Sequence, residues 1–280
     1  QDFNVRAEVY VDDPLLATSG TEDQRTMSFA VGLLALSVLG FPLAWHKAAA
    51  GHNITWIGAQ LVAESRWVLV RIPHDKCADI LAEISSIKAL AVVPVKRLRS
   101  LCGKFAFISG LVPAVRPFVD MLWCGILGPG RRPGAPVLVR RLETAFAWLG
   151  AMLQGAEGPL ERRVEYDAEH SHPGNFLATD ACPFGFAGIK YINFKPVAWY
   201  ATPILPPELR KFRAARGDSA HTTTWEALAL LVSLRLWPPE RHEHIHVRSD
   251  SLSSLRALVH LSAKSPSLNV VAREYAIDAV

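Results

Sequence analysis

The chain is short of cysteine and short of uninterrupted apolar sequence, and each shortage excludes a class of explanation. Its four cysteines, at 77, 102, 124 and 182, are widely spaced and form no Cys-x-x-Cys pair. Neither a zinc site nor a disulfide framework is indicated, and a reducing compartment, cytoplasmic or nuclear, is expected. The apolar stretch from Phe29 to Trp45 is broken by Gly40 and Pro42. A bilayer span needs about 20 residues, so a buried helix is expected there and no membrane partner. No signal peptide is recognised in these residues, and because the first residue is Gln1 rather than Met a fragment or processed product is expected. No internal repeat or low-complexity tract is present. Acidic residues are scarce in one region: from Lys96 to Arg141 only Asp120 stands against nine Lys and Arg.

What is present is enough for a large core. At 280 residues and 50% hydrophobic content, the chain can bury one large core or two ordinary ones. The net charge of +4 and pI near 8.9 are only mildly basic, so the distribution of charge says more than its sum. The basic stretch suits a phosphate backbone, although a solvated helix face would read the same way.

Tyr10-Val11-Asp12-Asp13 is the most informative segment. Val5, Ala7, Val9 and Val11 alternate with Arg6, Glu8 and Tyr10, the period of a half-buried strand that delivers two acids to its end. Adjacent carboxylates repel and raise each other's pKa unless a cation lies between them, and Mg²⁺ favours such a pair together with substrate phosphates. A plain Asp-Asp-Pro surface turn is the competing explanation. A polar stretch and an apolar helical run from Met27 to Leu39 follow. Beyond them come Lys47 and a strand-like Ile54-Thr55-Trp56-Ile57-Gly58.

In this order the segments resemble the palm of a reverse transcriptase. The resemblance implies that Asp12 and Asp13 hold metal for nucleotidyl transfer and that Lys47 lies near the phosphates of the incoming nucleotide. It also implies that Trp56, Ile57 and Gly58 form the primer grip. Pro14 departs from the commonest pattern and holds Asp13 extended.

Helical patterns follow over Asp75 to Leu90 and Val95 to Ser109. In the second, Leu98, Leu101, Phe105 and Ile108 make one apolar stripe, with Lys96, Arg97, Arg99 and Lys104 off it as candidate nucleic-acid contacts. An apolar segment runs from Pro113 to Met121 and a further helix is expected over Leu138 to Leu153. The intervening Gly128 to Gly134 is a loop by composition. A basic helical region after a palm resembles a reverse-transcriptase thumb and connection.

From Glu165 the pattern changes to strands. Asn175 to Asp180 reads as a strand ending in an acid, followed by strands near Ile189–Ile192 and Pro196–Ala201. Thr222 to Leu236 reads as an apolar helix with one acid, Glu226, and His244 to Arg248 as a strand leading into Ser249-Asp250 and a helix. Each acid has a plain alternative. Asp180 could open a turn, Glu226 could complete a capping box with Thr223, and Asp250 or Ser249 could N-cap the next helix.

Acids on strand, helix and strand end, in that order, resemble the ribonuclease H fold. The resemblance implies that Asp180, Glu226 and Asp250 converge on two Mg²⁺ ions, Mn²⁺ being an alternative. One ion would activate water and the other would stabilise the leaving 3′ oxygen. Asp278 imitates the family's fourth acid, yet only 27 residues lie between it and Asp250. That is too few for the remaining elements, so a helical, solvent-facing Asp278 away from Asp180 is expected. Trp225-Glu226-Ala227-Leu228, Ser249-Asp250-Ser251 and Leu268-Asn269 with Ala272-Arg273-Glu274 resemble retroelement polyproteins of the tyrosine-recombinase (DIRS-like) group.

The implied fold class is α/β of the α+β kind. Residues 1–58 are expected to be the C-terminal part of a palm, 59–160 a helical basic thumb and connection, and 161–280 a ribonuclease H-like mixed sheet with helices. The implied partners are an RNA template, a DNA primer, the RNA/DNA hybrid and dNTPs. The implied activity is RNA-directed DNA synthesis with hydrolysis of the RNA strand, polymerisation not being expected of this segment alone. Two alternatives remain open: a catalytically inactive nucleic-acid-binding relic or domesticated module, and a hybrid nuclease whose palm is a relic.

Overall fold

In the computed structural model, residues 5–279 are described apart from 12, 129, 131, 133, 156–159, 166–173 and 240–244. Asp12 therefore lies outside the described residues. In chain order the elements begin with strands β1 (Val5–Tyr10) and β2 (Asp13–Thr18), helix α1 (Glu22–Val38), and strands β3 (Asn53–Trp56), β4 (Ala59–Ala63) and β5 (Trp67–Arg71). Next are α2 (His74–Lys88), β6 (Val92–Val93), α3 (Val95–Leu111), α4 (Arg116–Leu127), β7 (Val137–Leu138), α5 (Glu143–Gln154) and β8 (Glu161–Glu165). The chain continues through β9 (Phe176–Cys182), β10 (Gly185–Ile192), β11 (Lys195–Pro203), α6 (Pro206–Phe212) and α7 (Thr222–Leu236). It closes with β12 (His246–Arg248), α8 (Leu252–His260) and α9 (Pro266–Asp278). The class is mixed α/β, with helices and several sheets. Two compact units divide the chain, Gln1–His74 with Glu161–Tyr166, and Asp75–Leu160 with Asp167–Val280.

In the first unit β1 and β2 form an antiparallel hairpin whose register closes on Tyr10 opposite Asp13. The connection is two residues long, and Val11 takes a φ of 59°, a conformation that β-branched residues avoid. The expected strand is there, but its burial is not: every residue of β1 after Val5 is exposed. Helix α1 meets the hairpin at Gly32, which faces Val5 and Leu16, and leaves the rest of that apolar face uncovered among the described residues. Helix α1 starts at a full capping box, in which Thr21 Oγ1 accepts from the Gln24 amide and Gln24 Oε1 accepts from the Thr21 amide.

The order β3-β4-β5-β8 makes a second, antiparallel sheet. This corrects the reading of residue 59 onward as helical, since β4 and β5 are strands. The outer strand β8 is Glu-Arg-Arg-Val-Glu, too charged to announce itself by apolar alternation. It joins β5 by an antiparallel backbone ladder, and its side chains add to this: Arg71 pairs with Glu161, 90 residues away, and the Arg163 guanidinium lies 3.5 Å from the Trp67 ring centre.

In the second unit, helices α2 to α5 bury the stripe read from the sequence. Leu98, Leu101 and Phe105 are fully buried and Ile108 nearly so. Apolar residues at three- and four-residue spacing on α3 leave water together, each contributing about 1.5–3 kcal/mol. Besides the short antiparallel pair β6-β7, this unit has a sheet of order β11-β10-β9-β12, antiparallel except for the β9–β12 pair, which is parallel. Helix α7 packs across one face of it. Trp225, Ala227, Ala229 and Leu231 are buried on α7, with Phe186, Leu268 and Val271 among their companions. Buried around most of its circumference, the helix needs no polar face. At Gly188 on β10 the sheet and α7 come so close that a Cβ would lie 2.3 Å from Ser233 Oγ. There Tyr200 donates from its hydroxyl to the Ala229 carbonyl at 2.6 Å. Asp120, the single acid of the basic stretch, accepts from the Ser262 hydroxyl at 2.6 Å, tying α4 to the turn before α9. Among the described residues no helix is long and apolar enough to cross a membrane.

Candidate metal centre

Asp180 belongs to β9, two residues before its end, so it does not open a turn. Its side chain shares a face of the strand with Phe176 and Ala178, because side chains alternate with period two. Glu226 enters from the second turn of α7. Its alternative role as a cap is not realised: His221 is the N-cap residue of α7 and no side chain caps it. Asp250 follows β12, and the helix after it is capped by Ser251, which accepts from the Ser254 amide. All three acids are thereby released from local duties. Their ligand oxygens lie within 4.8 Å of one another.

One donor organises two of these groups. The Ala181 amide donates to Asp180 Oδ1 at 2.9 Å and to Glu226 Oε1 at 3.0 Å. Glu226 is 5% exposed, and its other oxygen, Oε2, is buried without a hydrogen-bond partner. Burial raises its pKa from 4.5 to about 7, against the Ala181 amide, which lowers it, while the charges of Asp180 and Asp250 raise it further and the Ser249 hydroxyl lowers it. Such a cluster is costly by itself and is relieved by a cation. Oxygen-only donors at this spacing fit hard divalent ions, and the orphaned Glu226 Oε2 is the atom such an ion would satisfy. Thr179, Asp180, Val247, Arg248, Ser249 and Asp250 line a shallow, open depression beside the cluster.

Asp278 is the last residue of α9. It is helical as expected, but it does more than face solvent: Arg235 donates to it in bidentate fashion, at 2.6 and 3.0 Å. Arg235 and Glu226 are nine residues apart on α7, a rise of about 13 Å, which holds Asp278 away from the carboxylate cluster.

The other candidates are placed as follows. Asp13 opens β2 and is exposed, and its carbonyl accepts from Trp56 Nε1 at 3.1 Å. This bond joins the two motifs that the sequence singled out in this unit. Trp56 ends β3, and Ile57 and Gly58, with φ of 43° and 87°, make the two-residue turn into β4. Lys47 lies exposed in a 3₁₀ turn over Trp45–Lys47. Of the basic residues on α3, Lys96 and Arg99 are exposed, while Arg97 donates to Ser86 and Lys104 pairs with Glu83. Sequence reasoning assigned no role to the Ala181 amide, a backbone donor that leaves no trace in residue type. It also passed over Arg248, for which a signal existed: it stands two residues before Asp250, on a strand whose side chains alternate.

No known family profile matches the chain, and no curated protein matches it. Among solved structures it is similar to a foamy viral protease-reverse transcriptase in complex with an RNA/DNA hybrid, at 14% identity and a TM-score of 0.38, covering 96% of this chain and 34% of that one. It is also similar to a foamy viral protease-reverse transcriptase in complex with dsDNA, at 16% identity and a TM-score of 0.39, covering 93% of this chain and 53% of that one. The chain thus spans between a third and about half of the length of these structures.

Proposed function

We propose that Asp180, Glu226 and Asp250 hold Mg²⁺, or Mn²⁺ in its place, and that this site hydrolyses the RNA strand of RNA/DNA hybrids as a ribonuclease H. The observation that carries the reading is the convergence of three carboxylates from a strand, a helix and a strand end, with one buried oxygen left unpartnered. When bound, the ions would activate a water molecule and stabilise the leaving 3′ oxygen. The chain's own residues do the rest. Asp180 and Asp250 present exposed carboxylates to the depression, and the Ala181 amide fixes the orientation of Asp180 and Glu226. Glu226, held from below by α7, is the least hydrated of the three and binds a cation only after losing its proton.

In the same proposal the first unit is part of the palm of a retroelement reverse transcriptase of the DIRS-like group, an RNA-directed DNA polymerase using an RNA template, a DNA primer and dNTPs inside the cell. Asp12 and Asp13 would take the metal, Lys47 the nucleotide phosphates and Trp56 to Gly58 the primer end. The Trp56–Asp13 hydrogen bond supports this by coupling the acid-bearing hairpin to the turn that resembles a primer grip.

The test is a Mg²⁺ titration of the chain with a labelled RNA/DNA hybrid, with Asp250→Asn in parallel. Metal-dependent cleavage by the parent, lost in Asp250→Asn while hybrid binding persists, is the expected result. Salt-dependent binding with no cleavage at any Mg²⁺ or Mn²⁺ concentration would instead make the chain an inactive binding module.

A further inference from the structure

Arg248 lines the same depression as Asp180 and Asp250, yet among the described residues no ion pair joins it to either. Its guanidinium lies 3.8 Å from the centre of the Phe176 ring, and Phe176 in turn stacks on Tyr191 with ring centres 4.4 Å apart and planes 11° apart. An arginine beside two carboxylates would ordinarily be captured by one of them. Here the Phe176 ring, itself backed by Tyr191, engages it by a cation–π contact, which consumes none of its N–H donors.

Its position along the sheet is equally defined. Arg248 pairs in parallel register with Ala178, and Asp180 lies two residues further along the same strand and on the same face. Two residues of strand rise about 6.6 Å, a distance comparable to the separation of neighbouring phosphates along a nucleic-acid strand. A phosphodiester held at the carboxylate cluster would therefore bring an adjacent phosphate of the same strand over Arg248.

We infer that Arg248 is a phosphate-binding residue that grips the backbone one nucleotide from the cleaved bond and sets the register of the strand on the metal site. This rests on the nuclease reading above. The guanidinium forms charge-assisted, bidentate bonds to the phosphate. The aromatic stack keeps the side chain in place before substrate arrives, so less conformational freedom is lost on binding.

The experiment is hybrid binding by fluorescence anisotropy over a salt series, with Ca²⁺ at fixed concentration as the cation for the carboxylates so that binding is read without cleavage, for the 280-residue chain and for Arg248→Ala and Arg248→Lys. Hybrids carrying a single neutral methylphosphonate at successive positions of the RNA strand are run alongside. In the parent, log affinity should fall linearly with log salt. Arg248→Ala should weaken binding about tenfold and reduce the slope by about 0.7–0.9, the equivalent of one phosphate. Arg248→Lys should keep the slope. One methylphosphonate position should weaken the parent as much as the Ala substitution does, and should weaken Arg248→Ala no further.

A folded Arg248→Ala with the parent's affinity and slope would overturn the role of Arg248 and leave the nuclease reading standing. A parent without salt-dependent hybrid binding would overturn both. Should the Ala variant fail to fold, the methylphosphonate series on the parent decides the matter, because a profile with no preferred position overturns the inference.

Discussion

Asp180 and Glu226 share one hydrogen-bond donor, the Ala181 amide, which lies 2.9 Å from the first carboxylate and 3.0 Å from the second. A single backbone N–H thus fixes the geometry of two negative groups, one on a strand and one on a helix, that repel each other when both are ionised. Such repulsion is relieved by a proton or by a cation, and the consequences of each can be measured.

The first concerns pH. Glu226 has its pKa raised from 4.5 to about 7, so folding favours the protonated form. The associated stability is complete below the unfolded value near 4.5 and is lost as pH rises through about 7. The shift corresponds to about 3 kcal/mol. Urea denaturation in EDTA should show the parent weakening between pH 5 and 8, while Glu226→Gln should lose this dependence and be the more stable protein at pH 8. Added Mg²⁺ should restore the parent at pH 8 and do little for the variant. The same pH trend in both proteins would mean that Glu226 is not the titrating group.

Asp278 should matter for stability and little for chemistry. Its bidentate pairing with Arg235 is partly exposed, and such pairs contribute up to about 1 kcal/mol. Asp278→Ala should lower the denaturation midpoint slightly and leave hybrid cleavage within a few-fold of the parent. A loss of cleavage as deep as that of Asp250→Asn would place Asp278 in the metal centre after all.

Gly188 should tolerate no side chain. An added Cβ would lie 2.3 Å from Ser233 Oγ and 2.6 Å from Tyr200 Cε1, forcing apart the β10–α7 contact and the Tyr200–Ala229 hydrogen bond. Gly188→Ala should cost about 2–3 kcal/mol. Gly103 is the matched control, since it lies inside α3 with open space around it. Gly103→Ala should stabilise the chain by up to about 1 kcal/mol through helix propensity. Equal effects at the two positions would contradict the packing described for Gly188.

The bond from Trp56 Nε1 to the Asp13 carbonyl, 3.1 Å long, spans 43 residues. Trp56→Phe keeps an aromatic ring, though a smaller one, and removes the donor, at a cost of about 1 kcal/mol for the hydrogen bond. Amide hydrogen exchange should become faster across β1 and β2 and stay unchanged in α7. Unchanged exchange in the hairpin would show that the bond does not hold it.

Local pattern determined much of this protein. The stripe Leu98–Leu101–Phe105–Ile108 was readable because a period of 3.6 records which face meets a core, and the apolar run of α7 because a helix buried nearly all round needs no polar face; the alternation before Asp13 announced a strand but not its exposure. The placement of Asp180, Glu226 and Asp250 on a strand, on a helix and after a strand was readable too. Pairing between distant segments was not. The strand β8 is mostly charged, and only its partner β5, 90 residues away in the Arg71–Glu161 pair, makes it a strand. Likewise each acid alone could have been a cap or a turn. Only the folded chain decides otherwise, because His221 and Ser251 occupy the N-cap positions and the closeness of three oxygens depends on how β9, α7 and β12 pack. Arg248 belongs to the same category: its residue type is visible in the sequence, but its contact with the Phe176 ring, which stacks on Tyr191, is assembled by tertiary structure alone.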